Sequence, residues 1–465
     1  MKIRRLTAIW TAKIISTVCR LSGRQGVTLA GKAALKIDPS ILEGLAAQVR
    51  EKIFVVCGTN GKTTTNNLLC AAIESEGKKL VCNRTGSNML QGVAAAFVLA
   101  ADWSGRLKAD YACLEVDEAS AQYIFPQVKP DYMILTNLFR DQLDRYGEID
   151  TTMELLNRAV KTVPEMTVIV NGDDPLSAYL VMEGTNPYLT FGIAGTSKAA
   201  TGEIETSAGE CNEKQQLSQE VRDGGFCKKC GARLEYDFYH YGQLGGYHCT
   251  KCSFAHPETD FEAEAVDLRN GLAFDIKTNE DMVQHISVNY RGFYNIYNVL
   301  AAYSAFKAAG MDTAHFVQML QKFQPQNGRM ECFWIKGCKV TLNLAKNPAG
   351  FNQNIEAMMT DREAKDVMIA INDNAADGTD VSWLWDVDFD QMRDQTVDSI
   401  TVCGIRCLDM QLRLKYVNIE AEAVADIRKA IEQKTAQGST NLYVLVNYTA
   451  LFSTRKLLAE MRASC

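Results

Sequence analysis

Apolar and polar positions change their period several times along the chain, and each change marks a different kind of element. The first two dozen residues, MKIRRLTAIWTAKIISTVCRLSGR, place Leu6, Ile9, Trp10, Ile14, Ile15 and Val18 at helical spacing among basic residues. That spacing predicts an amphipathic helix, which either packs on the domain that follows or rests on an anionic membrane surface. From Lys52 the pattern becomes α/β. The run KIFVVCGTNGKTTTNNLLCAAIESEG reads as a buried strand, a Gly-containing turn and a helix. YACLEVDEAS, DYMILTNLF and MTVIVNGDD read as further strands with polar ends. Strands alternating with helices imply a mostly parallel sheet that binds ligands at the carboxyl ends of its strands.

From about Gly195 to Glu220 the periodicity is lost and the composition is polar, as in a linker. FEAEAVDLRNGLAFDIKT and HISVNY then suggest β structure, and NIYNVLAAYSAFKAAGM a helix ending at a Gly. After Asn327-Gly328 the chain restarts with CKVTLNLAKNPAG, DVMIAINDNAADG, SITVCGIR and LYVLVNYTA, strand-like runs with helices between them. The organisation expected is a helical leader over 1–50 packed on or near a central domain over 51–326, and a smaller C-terminal α/β domain over 327–465. A length of 465 residues fits more than one core.

Composition narrows this picture. A net charge of −7 argues against a general nucleic-acid binder, and no apolar run is long enough to cross a bilayer. Of fifteen cysteines, four form two CxxC pairs, and Cys57, Cys70, Cys113 and Cys403 lie in apolar runs where Cys acts as a small hydrophobe. No secretory signal opens the sequence, so the pattern is that expected of a reducing cytosol with one metal site.

The chemistry centres on Gly58-Thr59-Asn60-Gly61-Lys62-Thr63-Thr64, between the strand KIFVVC and a helix. Backbone N–H groups in such a turn, with a helix N-terminus behind them, cradle phosphates. An exposed Lys62 would neutralise the outer phosphates of ATP and the Thr63 hydroxyl would ligate magnesium. The motif is a shortened phosphate loop, since the full pattern wants Gly where Val56 stands. Glu115 and Glu118 after one strand, and Thr136, Asn137, Asp141, Gln142 and Asp144 after another, add oxygen donors on the same side of the sheet. Cys227, Cys230, Cys249 and Cys252 form C-x2-C-x18-C-x2-C, the spacing of a closed four-thiolate zinc ribbon over about 222–257. Tyr236, Phe238, Tyr239, Tyr241 and Tyr247 are expected to make a small core around the metal, with His248 and His256 as non-ligands.

The runs GTNGKT, LEVDEAS, TNLFRDQLDRYG, VNGDDP, GFYNIYNVLAA and NGRME occur in the order seen in the Mur ligase family, which the chain resembles from about Lys52 onward. The inserted four-cysteine ribbon, NLAKNPAGFNQ and NDNAADGTDVSWLWD make it similar to the amidating branch of that family in particular. The resemblance implies a central parallel-sheet ATPase domain, a C-terminal α/β domain, and catalysis with ATP and Mg2+ through an acyl phosphate. It implies that Lys62 and Thr63 hold phosphate and magnesium, with Glu115 as a further magnesium ligand. Asn295 and Asn298 would stand on the adenine-side helix, Arg329 would reach the nucleotide from the hinge, and Asn343 would lie near the ribose.

It further implies amidation of the D-glutamate α-carboxylate in the lipid II stem peptide to D-isoglutamine, in the cytoplasm at the inner face of the membrane. The ammonia would come from a GatD-like glutaminase subunit, to whose Cys-His pair this chain lends Asp380, or failing that Asp377. The competing reading of Asp380 is a cap on a helix starting at Val381 or Ser382. Trp383 and Trp385 are either interface anchors or core residues. Gln142 stands where Mur ligases carry His, their DYAHNP stretch is here Asn343-Leu344-Ala345-Lys346-Asn347-Pro348, and no lysine stands in the context of their carbamylated residue. Those departures fit ammonia as the nucleophile. The alternatives are an amino-acid-adding Mur ligase, a folylpolyglutamate synthase-like ligase, or a nucleotide-dependent scaffold.

Overall fold

The computed structural model describes residues 2–22, 26–83, 87–140, 149–195, 224–269, 271–280, 282–288, 291–323 and 328–463. Asp141, Gln142, Asp144, Asn327 and nearly all of the polar segment after Gly195 lie outside the described residues.

The central sheet contains β1 (Lys52–Cys57), β2 (Leu80–Cys82), β3 (Tyr111–Glu115), β4 (Tyr132–Leu135), β5 (Thr167–Asn171) and β6 (Tyr188–Ile193). After the hairpin β7 (Leu234–Tyr241) and β8 (Leu244–Cys249) it is extended by β9 (Phe261–Asp267), β10 (Leu272–Thr278) and β11 (Val283–Val288). The described order is β11-β10-β9-β6-β5-β4-β1-β3-β2, parallel from β2 to β9 and antiparallel beyond. Phe54 through Cys57 are fully buried because helices cover both faces, which is why β1 reads as a continuous apolar run. Strand β1 lies between β3 and β4, so the chain turns away from it in opposite directions; a crevice opens at such a switch point, beyond the strand ends.

The helix Tyr294–Ala308, buried from Asn295 to Phe306, packs on the helix Lys62–Ser75 that follows β1. The second sheet contains β12 (Glu331–Ile335), β13 (Cys338–Leu344), β14 (Lys365–Ala370), β15 (Val397–Cys403), β16 (Glu422–Ala423) and β17 (Asn441–Val446), in the order β12-β13-β17-β14-β15-β16.

The leader forms helices Lys2–Leu21, Val27–Ile37 and Ile41–Ala46. They pack against the helix Leu90–Ala100, where the missing side chain of Gly31 lets the backbones meet: a Cβ there would stand 1.8 Å from the Gln91 carbonyl oxygen. The apolar residues of the first helix do not share one face. Ala8, Ile9 and Ala12 are buried, whereas Trp10, Ile14 and Val18 are exposed.

Hairpin β7–β8 is a separate two-stranded sheet docked on the central domain at residues 172–174. There the Tyr247 hydroxyl donates to the Gly172 carbonyl at 3.1 Å and the Gly245 N–H to the Asp173 carbonyl at 3.0 Å. The Asp173 side chain braces the surrounding segments. That buried carboxylate accepts the Tyr297 hydroxyl at 2.6 Å and the Ile193 N–H at 2.9 Å, and His256 Nε2 lies 2.8 Å away. The small core beside the cysteines is Leu234, Tyr247 and Phe254, with Tyr236 packed on it. The expectation for the other aromatics is corrected: Tyr241 joins the central domain's core beside Phe139 and Tyr239 is exposed, because the β7–β8 pairing is irregular between these two residues and they no longer share a face. Phe238 packs against His240 and His256.

Candidate functional site

The turn after β1 is built from glycines that no other residue could replace without displacement. Gly58 has φ +121°, and a Cβ there would meet Thr136 Oγ1 at 2.2 Å. Gly61 has φ +87° and precedes the helix Lys62–Ser75, so the turn ends at a helix N-terminus. The end of β4 holds this turn in shape. Thr59 N–H donates to the Asn137 carbonyl at 2.8 Å, Asn60 N–H to Asn137 Oδ1 at 2.9 Å, and Thr136 Oγ1 to the Asn60 carbonyl at 2.7 Å. Thr136 and Asn137 therefore shape the loop rather than offer free oxygens to a metal.

Lys62 is buried, not exposed. Its ammonium donates to the Gly58 carbonyl and to Glu118 Oε1 at 2.9 Å, while the same carboxylate oxygen accepts the Gly58 N–H at 2.6 Å. Burial alone would lower the lysine pKa, but Glu118, Asp117 and Glu115 together outweigh it and raise it, so the amine stays charged. Burial raises the Glu118 pKa against the opposing pull of Lys62. Thr63 Oγ1 donates to Glu115 Oε2 at 2.8 Å, which brings the two expected magnesium ligands together at the loop. Half-buried Arg329 comes within electrostatic reach of Tyr294 and Glu115, and burial lowers its pKa.

Asn298 Oδ1 sits over Gly61, and Asn298 Nδ2 donates to Asn295 Oδ1 at 3.0 Å. Asn343 is buried at the end of β13. Its Oδ1 accepts the Met330 N–H at 3.2 Å and its Nδ2 donates to Asn354 Oδ1 at 2.6 Å. This amide holds the segment beside Arg329. Asn347 was not singled out from the sequence. Its Nδ2 donates to Asn60 Oδ1 at 3.2 Å while its Oδ1 caps the helix Pro348–Met359 through Gly350 N–H at 2.8 Å. Two helix N-termini, one from each sheet, thus converge on the phosphate turn; only the Asn-Pro pair in NLAKNPAG hinted at the second.

In the C-terminal domain the two candidate aspartates differ. Asp377 is buried and accepts both the N–H, at 2.7 Å, and the hydroxyl of Thr449, tying its loop to the helix Tyr448–Ala463. It clamps that loop within the domain. Asp380 is exposed and accepts Ser382 N–H at 2.8 Å and Ser382 Oγ at 2.9 Å. Those bonds lower its pKa and keep the carboxylate ionised. Trp383 packs on Phe351 in the domain core; Trp385 is exposed, its ring 5.0 Å from Tyr416.

The four ribbon thiols gather: Cys227, Cys230, Cys249 and Cys252 Sγ all lie within 4.8 Å of one another, with neighbours at 3.4 and 3.5 Å. His248 and His256 are not in this cluster. His248 faces Asp237, as His256 does Asp173.

A phosphate turn at a sheet switch point, a charged lysine, a Thr–Glu pair and a second α/β domain closing on the turn define a nucleotide-dependent ligase of the Mur type. Residues 56–226 match the Mur ligase middle domain and residues 344–451 the MurT ligase C-terminal family. The chain is 33% identical over 453 residues to the lipid II isoglutaminyl synthase (glutamine-hydrolyzing) subunit MurT of Staphylococcus aureus strain COL, covering 97% of this chain and 96% of that one. It is 34% identical to the same subunit of Streptococcus pneumoniae R6, covering 94% and 93%. The chain belongs to the Mur ligase family, whose members are ATP-dependent ligases, and within it to the MurT subunits. Among solved structures, a pseudomurein peptide ligase type C from Methanothermus fervidus shares the fold with a TM-score of 0.67 at 18% identity, over 90% of this chain and 80% of that one. MurF ligase from Thermotoga maritima, solved with ADP, shares it at 0.62 and 12% identity, over 92% and 83%.

Proposed function

We propose that this chain amidates the α-carboxylate of D-glutamate in the lipid II stem peptide to D-isoglutamine, through an ATP-made acyl phosphate, with ammonia from a GatD-like glutaminase. One observation carries this reading: Lys62, Thr63 and Glu115 meet at the phosphate turn of a chain that aligns end to end with named MurT subunits. The charged Lys62 and the helix N-terminus behind it stabilise negative charge on the phosphoryl group in transit. Thr63 and Glu115, both hard oxygen donors, would hold magnesium, which when bound neutralises charge on the phosphate oxygens. Arg329 and Asn347 bring the C-terminal domain onto the same turn, so that closure excludes water from an acyl phosphate that would otherwise hydrolyse.

The four ribbon thiols fit zinc. Tetrahedral zinc–thiolate bonds of about 2.3 Å give sulfur–sulfur edges of about 3.8 Å, and the gathered sulfurs are compatible with that shape. A four-sulfur site leaves no position for water, so the role is structural. For the glutaminase, Asp380 is the accessible carboxylate of its loop. Beside it the helix Cys407–Tyr416 exposes Leu408, Leu412 and Tyr416 next to Trp385, an apolar face suited to a protein contact.

The test supplies ATP, lipid II and either ammonium or labelled amino acids to the purified chain. Amidated product with ammonium and no amino-acid adduct is the expected result. An amino-acid adduct instead would make the chain an amino-acid-adding ligase.

A further inference from the structure

The leader helix Lys2–Leu21 buries one apolar side and leaves a second in solvent. Ile3, Trp10, Ile14, Val18 and Leu21 are all exposed, Ile14 at 57% and Val18 at 58%. Their separations of seven, four, four and three residues keep them on one side of a helix. Trp103, 60% exposed, widens the strip: its carbonyl accepts Trp10 Nε1–H at 2.9 Å, and Lys13 Nζ stands 5.6 Å from its ring centre. An apolar strip about 30 Å long is more than a monomer's scattered surface hydrophobes.

Charge identifies what covers it. Residues 1–37 contain eight Lys and Arg and no Asp or Glu, in a chain whose net charge is −7. Arg4, Arg20, Lys32 and Lys36 are exposed on the two helices that carry or flank the strip. A second copy of the chain docked on this face would bring eight positive charges against eight more, which disfavours self-association. A surface that is apolar at its centre and negative around it suits both features.

We infer that this face is a docking surface for an anionic lipid bilayer. The helix lies in the plane of the membrane, its apolar strip reaching the boundary between headgroups and acyl chains. Trp10 and Trp103 sit at the depth aromatic rings favour, and the basic residues meet lipid phosphates. No described helix is long and apolar enough to cross a membrane, so the contact is peripheral. The geometry deepens the reading that the acceptor is lipid-linked, by placing the ligase on the surface that holds it.

The full-length protein is sedimented with vesicles of phosphatidylglycerol mixed with phosphatidylcholine, and with vesicles of phosphatidylcholine alone, without ATP or acceptor. Binding is expected only to the anionic vesicles, and falls about tenfold as salt screens the basic residues. The double variant Ile14→Ser, Val18→Ser keeps its circular dichroism and melting temperature but binds about tenfold more weakly. Wild-type protein that ignores anionic vesicles, or a variant that binds them equally, overturns the inference. So does light scattering that shows a wild-type dimer and a monomeric variant, since a second copy would then cover the strip. Amidation without vesicle binding overturns this inference alone; vesicle binding without amidation overturns only the assigned reaction.

Discussion

A Cβ added to Gly61 would stand 2.2 Å from Asn298 Oδ1, so the phosphate turn and the buried helix Tyr294–Ala308 are in contact at a position with no room for a side chain. Gly61 also has φ +87°, which costs about 1–2 kcal/mol for an L-residue. Gly61→Ala is expected to fold, with a lowered melting temperature, and to bind ADP at least about tenfold more weakly by calorimetry. Unchanged ADP affinity would show that the nucleotide does not use this turn.

Lys62→Ala removes a charge from the phosphates and also leaves Glu118 buried without its partner. Loss of one transition-state contact costs about 3–4 kcal/mol, or two to three orders of magnitude in rate. Breaking the buried pair costs stability as well. Adding Glu118→Gln should restore much of the melting temperature, because Gln still accepts the Gly58 N–H, while amidation stays lost. A double variant that regains turnover would mean that Lys62 serves the fold and not the chemistry.

The ribbon is expected to depend on its metal. Cys227→Ser or Cys252→Ser should give poorly soluble protein holding less than one zinc per chain by atomic absorption, since such sites contribute folding energy outright. Soluble, active protein without zinc from a double Cys→Ser variant would show that the small core of Leu234, Tyr247 and Phe254 suffices.

Asp380→Asn separates two roles. If the carboxylate orients the imidazole of a partner's Cys-His pair, glutamine-driven amidation by the complex falls by orders of magnitude while high ammonium still supports the reaction. If it only caps the turn at Ser382, both nitrogen sources suffer a small, equal loss.

Asp377→Ala serves as the contrast. Freeing the two Thr449 donors should destabilise the C-terminal domain by about 1–3 kcal/mol and lower activity from glutamine and ammonium alike. A selective loss of glutamine use would assign Asp377 to the glutaminase site.

Local chemistry was legible because it is written in contiguous residues. The turn Gly58–Thr63 needs positive φ, an amide cradle and a lysine within six positions, and the two CxxC pairs need only their spacing. Alternation of apolar strands and helices likewise specified parallel α/β packing, since burial on both faces demands such runs. What the sequence left open were relations between distant segments. Lys62 read as exposed because nothing near it in the chain reveals Glu118, fifty-six residues on, which folds back beneath it. Asp377 and Asp380 share one loop and one chemistry; only the packing of Thr449 against the first decided which is a clamp and which faces solvent. The leader's apolar residues looked like a single face until Ala8, Ile9 and Ala12 met their neighbours and left Ile14 and Val18 outside. Spacing along a chain fixes backbone geometry and ligand sets, but burial and charge pairing are properties of the whole packed body, and tertiary structure alone assigns them.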